Sequence, residues 1–194
     1  MPPNPVRRAQ LADAGIRILA REGARGLTHR AVDAEAGVPT GTASNYFRTR
    51  EAIMEELGRR ILQLLAPPEE VMREVREVET PSREQQVRLI REVVRNVLAH
   101  SSLFLALLEL RLEATRRPRL RATLTEAVRR TVESDVAFHE ASGLPGGRDD
   151  VLLLHLTIDG LILDQLTLPE ALGIGDLETV VGRIVDRLVL PAAA

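Results

Sequence analysis

The residues in this chain best suited to chemistry are short and polar. After Gly37 the sequence carries Thr40, Gly41, Thr42, Ser44 and Asn45, side chains small enough to approach base edges and phosphates when one helix presents them. Thr28 to Phe47 has the dimensions of two short helices joined by a Gly-containing turn. Ala31, Ala34 and Ala36 would let those helices cross closely, Gly37 would supply a left-handed turn, and Val38 would plug the angle between them. The same spacing also describes a polar surface helix in a helical bundle. A second constellation is His155 and Asp159, one helical turn apart on a face continued by Leu152, Ile162 and Leu166. Such a pair is either satisfied internally or anchors a ligand, and Asp159-Gly160 also fits a kinked or closely approached helix. Arg111, with Glu109 or Glu113, is a comparable polar group on an apolar segment.

Several chemistries are excluded by composition. There is no Cys, so disulfides, thiolate metal sites and cysteine nucleophiles are absent together. All 26 basic residues are Arg, which removes Schiff-base and phosphate-loop lysine chemistry. The only aromatics are Tyr46, Phe47, Phe104 and Phe138, too few for base-stacking platforms or aromatic cages. Scattered His and carboxylates without ligand spacing predict no metal site, and no cofactor motif is present. A helical enzyme built on His155 and Asp159 would lack a nucleophile, a metal cluster and a phosphate loop, so the sequence predicts a protein that is not an enzyme.

The elements that must position these residues are helices throughout, with no convincing period-two run. The pattern predicts a helix over about 6–22 stopped by Gly23, a short one after the N-cap candidate Thr28, and a third from Pro39 or Thr40 to Phe47. A fourth follows Thr49, with Ile53, Leu57, Ile61 and Leu64 inward, and ends at Pro67-Pro68. Beyond it, marginal helix is expected around Val71, Val75 and Val78. Longer helices follow from Ser82 to His100, Leu103 to Arg117, Leu120 to Ala141 and Asp149 to Thr167, and a last one is capped by Asp176. No apolar run reaches the ~18 residues of a membrane span. The Pro-rich start leads into no long apolar stretch, so neither a signal peptide nor a membrane partner is expected, and the location predicted is cytoplasmic.

Charge divides the chain. Residues 1–50 hold eight Arg against four acids, a balance of +4, and the remaining 144 hold 18 Arg against 24 acids, a balance of −6. A basic N-terminal piece on an acidic helical body is the pattern of a local nucleic-acid reader rather than a basic glove. Arg7 and Arg8 would form an arm along a phosphate backbone or a solvated terminus. The domains expected are 1–50, a connecting helix over 50–66, and a C-terminal helical domain over 67–194.

The run Gly37-Val38-Pro39-Thr40-Gly41-Thr42-Ala43-Ser44-Asn45-Tyr46-Phe47-Arg48-Thr49-Arg50-Glu51-Ala52-Ile53 resembles the signature of the tetracycline-repressor (TetR) family of transcriptional regulators. That pattern is a Gly-Val turn, a Gly-Thr pair, an aromatic pair ending in Phe, and a basic residue before the next helix. Ala12, Leu19, Gly23 and Gly26-Leu27-Thr28 extend the resemblance upstream. There are departures. Pro39 stands where Ser or Thr often precedes the recognition helix, so Thr40 or the following amides must take up the capping role. Ser44 replaces a common Tyr, which removes one phosphate contact, while Arg50 keeps the charge of a common Lys.

The resemblance implies an all-α fold: an N-terminal three-helix helix-turn-helix DNA-binding domain and a C-terminal helical domain for effector binding and dimerisation. It implies that Thr28, His29 and Arg30 approach the DNA backbone or groove edge. Thr40, Gly41, Thr42, Ser44 and Asn45 would face the major groove, while Tyr46 and Arg50 contact phosphates. Asn45 could pair bidentately with adenine. The last two long helices are the expected homodimer contact, through Leu154, Leu161, Val181, Ile184, Val185 and Leu188. Phe104, Arg111, Phe138, His155 and Asp159 are candidates for a ligand pocket. With so few aromatics, that pocket is expected to be aliphatic and to suit a small, largely apolar effector better than a planar cation. The function implied is a ligand-responsive regulator, typically a repressor, that binds a near-palindromic operator in double-stranded DNA and is released by the effector. A helical dimer that keeps the fold as an interaction module without binding DNA is the alternative.

Overall fold

Ten helices account for the ordered secondary structure in the computed structural model, which describes residues 4–78 and 80–189, and no strand occurs among them. In chain order they are α1 (Pro5–Gly26), α2 (His29–Glu35), α3 (Thr42–Tyr46), α4 (Arg50–Leu65), α5 (Glu69–Arg76), α6 (Arg83–Ala99), α7 (Ser101–Ala114), α8 (Pro118–Ala141), α9 (Arg148–Thr167) and α10 (Leu177–Leu188). The all-α expectation holds. Local signals fix many of the boundaries. Thr28, Thr49 and Asp176 each accept a hydrogen bond from the backbone N–H three residues on, at 3.1, 3.0 and 2.8 Å, satisfying amides that the helix itself leaves orphaned. No single helix among the described residues is long and apolar enough to cross a membrane.

The chain forms two compact units that do not follow sequence order. The first joins residues 1–66 with 100–129. The reason lies in α7, whose apolar residues are spread over most of its circumference and draw neighbours onto several faces. Its Ala106, Leu107 and Leu110 enter one core with Leu11, Leu19, Leu57 and Ile61 from α1 and α4. Gly58 on α4 allows a close approach by α8: a Cβ there would lie 2.4 Å from Leu124 Cδ2. The helical path of α1 breaks at Gly23, with φ 67°, where the Ala24 N–H donates to the Glu109 carboxylate at 3.2 Å. Glu109 is thus structural.

The second unit holds residues 67–99 and 130–194. Leu154, Val185 and Val189 form its interior together with Val87, Ile90, Ile184 and Leu188. Arg83 closes one end by donating to the Val189 and Asp186 carbonyls at 2.6 and 3.2 Å. Arg91 and Arg95 on α6 hold Glu178 at the start of α10, at 3.1 and 2.8 Å.

Candidate nucleic-acid interface and effector region

The short α3 cannot cap itself. Gly41 precedes it with φ 93°, a conformation L side chains rarely adopt, and it offers no side-chain acceptor. The cap comes from α2 instead: buried Asp33, 2% exposed, accepts the Gly41 and Ala43 N–H groups at 2.7 and 2.6 Å. A carboxylate on the first amides of α3 also complements the helix dipole. This answers the problem posed by Pro39, and it does so from a residue eight and ten positions away rather than from Thr40. The turn between the helices closes with the Val38 N–H donating to the Asp33 carbonyl at 3.0 Å.

The same framework places the other expected contacts. Thr42 and Ser44 hydroxyls donate to the Pro39 and Gly41 carbonyls at 2.5 and 2.8 Å. Thr28, Arg30, Thr40, Ser44 and Asn45 are exposed, and Tyr46 is half-buried against the core that contains Phe47. His29 Nε2 lies 2.7 Å from the Phe47 carbonyl, tying the start of α2 to the end of α3. Arg50 does something the sequence did not suggest: its guanidinium donates to the Leu27 carbonyl at 2.9 Å and to that of Ala24. It is therefore held by the end of α1. Two residues earlier, Arg48 is exposed and pairs with no acid among the described residues. Arg8 is not a free arm, because it lies within α1, stacks 4.9 Å over the Phe47 ring and pairs with Glu56 at 2.7 Å. The Arg8 hydrogen bond holds the Glu56 carboxyl below its ordinary range. Residues 1–3 of the Pro-rich leader lie outside the described residues.

The residues expected to line a pocket do not share one unit. Phe104 and Arg111 belong to the first, with Phe104 buried and Arg111 exposed. Phe138, His155 and Asp159 belong to the second. There His155 Nε2 lies 3.8 Å from Asp159 Oδ2. Acting on His155 electrostatically is Asp135, absent from the sequence reading. Burial pushes its carboxyl up to about 6, against the opposing pull of His155. The Arg76 guanidinium sits over the Phe138 ring at 5.9 Å.

Of the six residues expected at the dimer contact, Leu154, Val181 and Val185 are 4%, 1% and 0% exposed and pack inside their own chain, while Leu161, Ile184 and Leu188 are half-buried. The apolar surface that α9 presents is Leu153, Leu156 and Leu163. Gly160 is exposed on the same helix, where a Cβ would meet nothing within 4 Å. Periodicity marked α9 as apolar all round but could not tell which stripe its own subunit covers.

A helix-turn-helix held by a buried carboxylate, followed by a helical body, defines a class of DNA-binding regulator. Residues 11–57 match the model of bacterial regulatory proteins of the tetR family, and residues 81–190 match the tetracyclin repressor-like C-terminal domain. The chain belongs to the TetR family of transcriptional regulators and is not an enzyme. Among solved structures, a TetR-family member from Streptomyces coelicolor is 27% identical with a TM-score of 0.75, spanning 96% of this chain and 99% of that one. The multidrug binding protein EbrR, solved with imidazole, is 26% identical with a TM-score of 0.72 over 98% and 99% of the two chains. The transcriptional regulator FadR from Bacillus subtilis, solved with stearoyl-CoA, shares the fold at 21% identity, a TM-score of 0.68, and 93% and 96% coverage. No curated protein matches the sequence significantly. Regulators of this family bind DNA and small ligands and function as dimers.

Proposed function

We propose that this chain is a ligand-responsive repressor that binds a near-palindromic operator as a homodimer in the cytoplasm and is released by a small effector. The observation that carries the reading is the capping of α3 by Asp33, which holds Ser44 and Asn45 outward on a fixed helix. Thr40, Gly41, Thr42, Ser44 and Asn45 read the major groove, with Thr28, His29, Arg30 and Tyr46 at its edge. Arg48 supplies the phosphate contact expected of Arg50, while Arg50 fixes the end of α1 against the reader. One such helix per chain is a small interface, so two copies are needed, with half-sites ~34–36 Å apart. The exposed Leu153, Leu156 and Leu163 of α9 support that pairing. An effector that favours a body conformation off that spacing releases the DNA.

The test is selection of genomic fragments by the purified protein at defined salt, followed by retention of the selected duplex across a salt series. Affinity should fall steeply with salt as phosphate contacts release counterions. Failure to retain any duplex would overturn the reading in favour of an interaction module.

The scarcity of aromatics supports a largely apolar effector. A cationic effector is the second reading. EbrR has been solved with ethidium and with proflavin, and the half-buried Asp135 offers a carboxylate that a cation would satisfy. Screening both classes for operator release separates them, and Asp135→Asn should abolish release only by cations.

A further inference from the structure

Five polar or charged residues are buried among those described: Asp33, Gln85, Gln86, His139 and Ser142. Asp33 caps the recognition helix; the other four belong to the second unit, and several contacts draw their segments to one end of it. Gln85 Nε2 donates to the Val75 carbonyl of α5 at 3.2 Å. Arg76 of α5 covers Phe138 of α8, and a Cβ on Gly143 would touch Pro81, just before α6, at 3.4 Å. His139 Nε2 makes a long 3.4 Å contact to the Gly146 carbonyl. A Cβ on Gly146 would in turn lie 3.0 Å from Val189, beyond the end of α10.

Gln86 is the anomaly in this cluster. It is 1% exposed, yet among the described residues neither its Nε2 nor its Oε1 has a partner, and Gln85 Oε1 has none either. A buried amide without partners is costly to keep, and a Leu or Met would fill the position without that cost. Ile90, Val94 and Val97 continue the same helical face with apolar groups, so nothing in the periodicity of α6 asks for Gln. The amide itself carries no charge, and the cations of this end are engaged elsewhere: Arg76 pairs with Glu69, and Arg83 donates to the Val189 and Asp186 carbonyls. Such a setting matches a neutral head group that both donates and accepts a hydrogen bond.

We propose that Gln86 is the polar anchor of an effector site at this end of the C-terminal unit, and that the site takes a neutral, largely apolar molecule with a hydroxyl or carboxamide head. The amide Nε2 donates to the head-group oxygen, and Oε1 accepts its O–H or N–H. The inference rests on the effector-release reading and specifies its ligand. It also narrows that reading, since an ester or ether head would leave Oε1 without a donor.

The experiment uses the full chain labelled with 15N, with octan-1-ol and octanamide as probes and octyl methyl ether as the comparison lacking a donor. The Gln86 side-chain NH2 pair is identified by its loss in Gln86→Leu. The two probes should shift that pair, bind about tenfold more tightly than the ether, and bind about tenfold more weakly to Gln86→Leu and Gln86→Met, one hydrogen bond's worth in each case. Both variants should melt at or above the wild-type temperature, because they remove an unpartnered buried amide. Equal binding to wild type and both variants, or no binding of either probe to wild type, overturns the proposal. Probes that bind at Gln86 without releasing operator would sustain the site and refute effector release. A different effector that releases operator equally from wild type and Gln86→Met would sustain release and refute the site.

Discussion

The two units of this chain treat their buried polar groups differently. In the first, Asp33 is the one buried charged or polar residue among those described, and both its oxygens are engaged by backbone amides. In the second, Gln85, Gln86 and Asp164 carry buried side-chain atoms with no partner, and Asp135 keeps a carboxyl in surroundings that resist its charge. The first unit packs Leu11, Leu19, Leu27, Ile53, Leu57 and Ile61 to complete burial and exposes scattered apolar residues, Val6, Leu64 and Leu112, whereas the second leaves Leu153, Leu156 and Leu163 exposed together on one helix, α9. A satisfied, close-packed unit has one arrangement, which a reader of base edges needs. Unpartnered groups and an uncovered apolar stripe are what a unit carries when part of its stability comes from other molecules.

The largest expected effect tests the fixed side of this contrast. Asp33→Ala strands two amides at the start of α3, at a cost of about 4 kcal/mol from the desolvation of the orphaned groups. Chemical denaturation should register that loss, and operator binding should disappear with it, while Asp33→Asn retains part of both. The next pair of substitutions separates covered from uncovered apolar surface. Leu154→Ala should lower subunit stability by about 2–4 kcal/mol through a cavity. Leu156→Ala should leave the monomer within about 0.5 kcal/mol and weaken self-association in sedimentation. Equal effects of the two would erase the distinction drawn along α9.

Asp135 gives a smaller, pH-resolved effect. Its folded-state pKa of about 6 lies above the unfolded value near ~3.9, so the folded state holds the proton more tightly. Stability should therefore fall as pH rises from ~4 to about 6 and level off above. Asp135→Asn should remove that slope and gain on the order of 2–3 kcal/mol at neutral pH, read from denaturation midpoints at pH 4.5 and 7.5. The smallest effect concerns two neighbouring arginines. Arg48→Ala should reduce the salt slope of operator binding by about one charge. Arg50→Ala should lower stability through the lost carbonyl bonds and leave the slope unchanged.

What could be read from the sequence was local. Thr28, Thr49 and Asp176 announce their helices because a cap and the amides it serves lie within three residues. The helix-turn-helix was legible in Gly37 and the polar run after it, since turn chemistry is written in adjacent residues. Contacts across the fold were not. Asp33 looks like an ordinary helical acid until the turn folds α3 back over it, and Arg50 looks like a surface cation until α4 places it beside the end of α1. An all-round apolar helix such as α7 or α9 signals burial without naming what buries it. For that reason the packing of residues 100–129 with the first unit was not legible, nor was the inward turn of Leu154 where a partner contact was expected.

The central claim is that α3, fixed by Asp33, presents Asn45 to base edges. Its most direct test is the affinity of wild type and Asn45→Ala for a set of single-base-pair variants of the selected operator at constant salt. The account predicts that the variant loses discrimination at one base-pair position per half-site, by about 1–3 kcal/mol, with an unchanged salt slope. Discrimination identical to wild type at every position would contradict it.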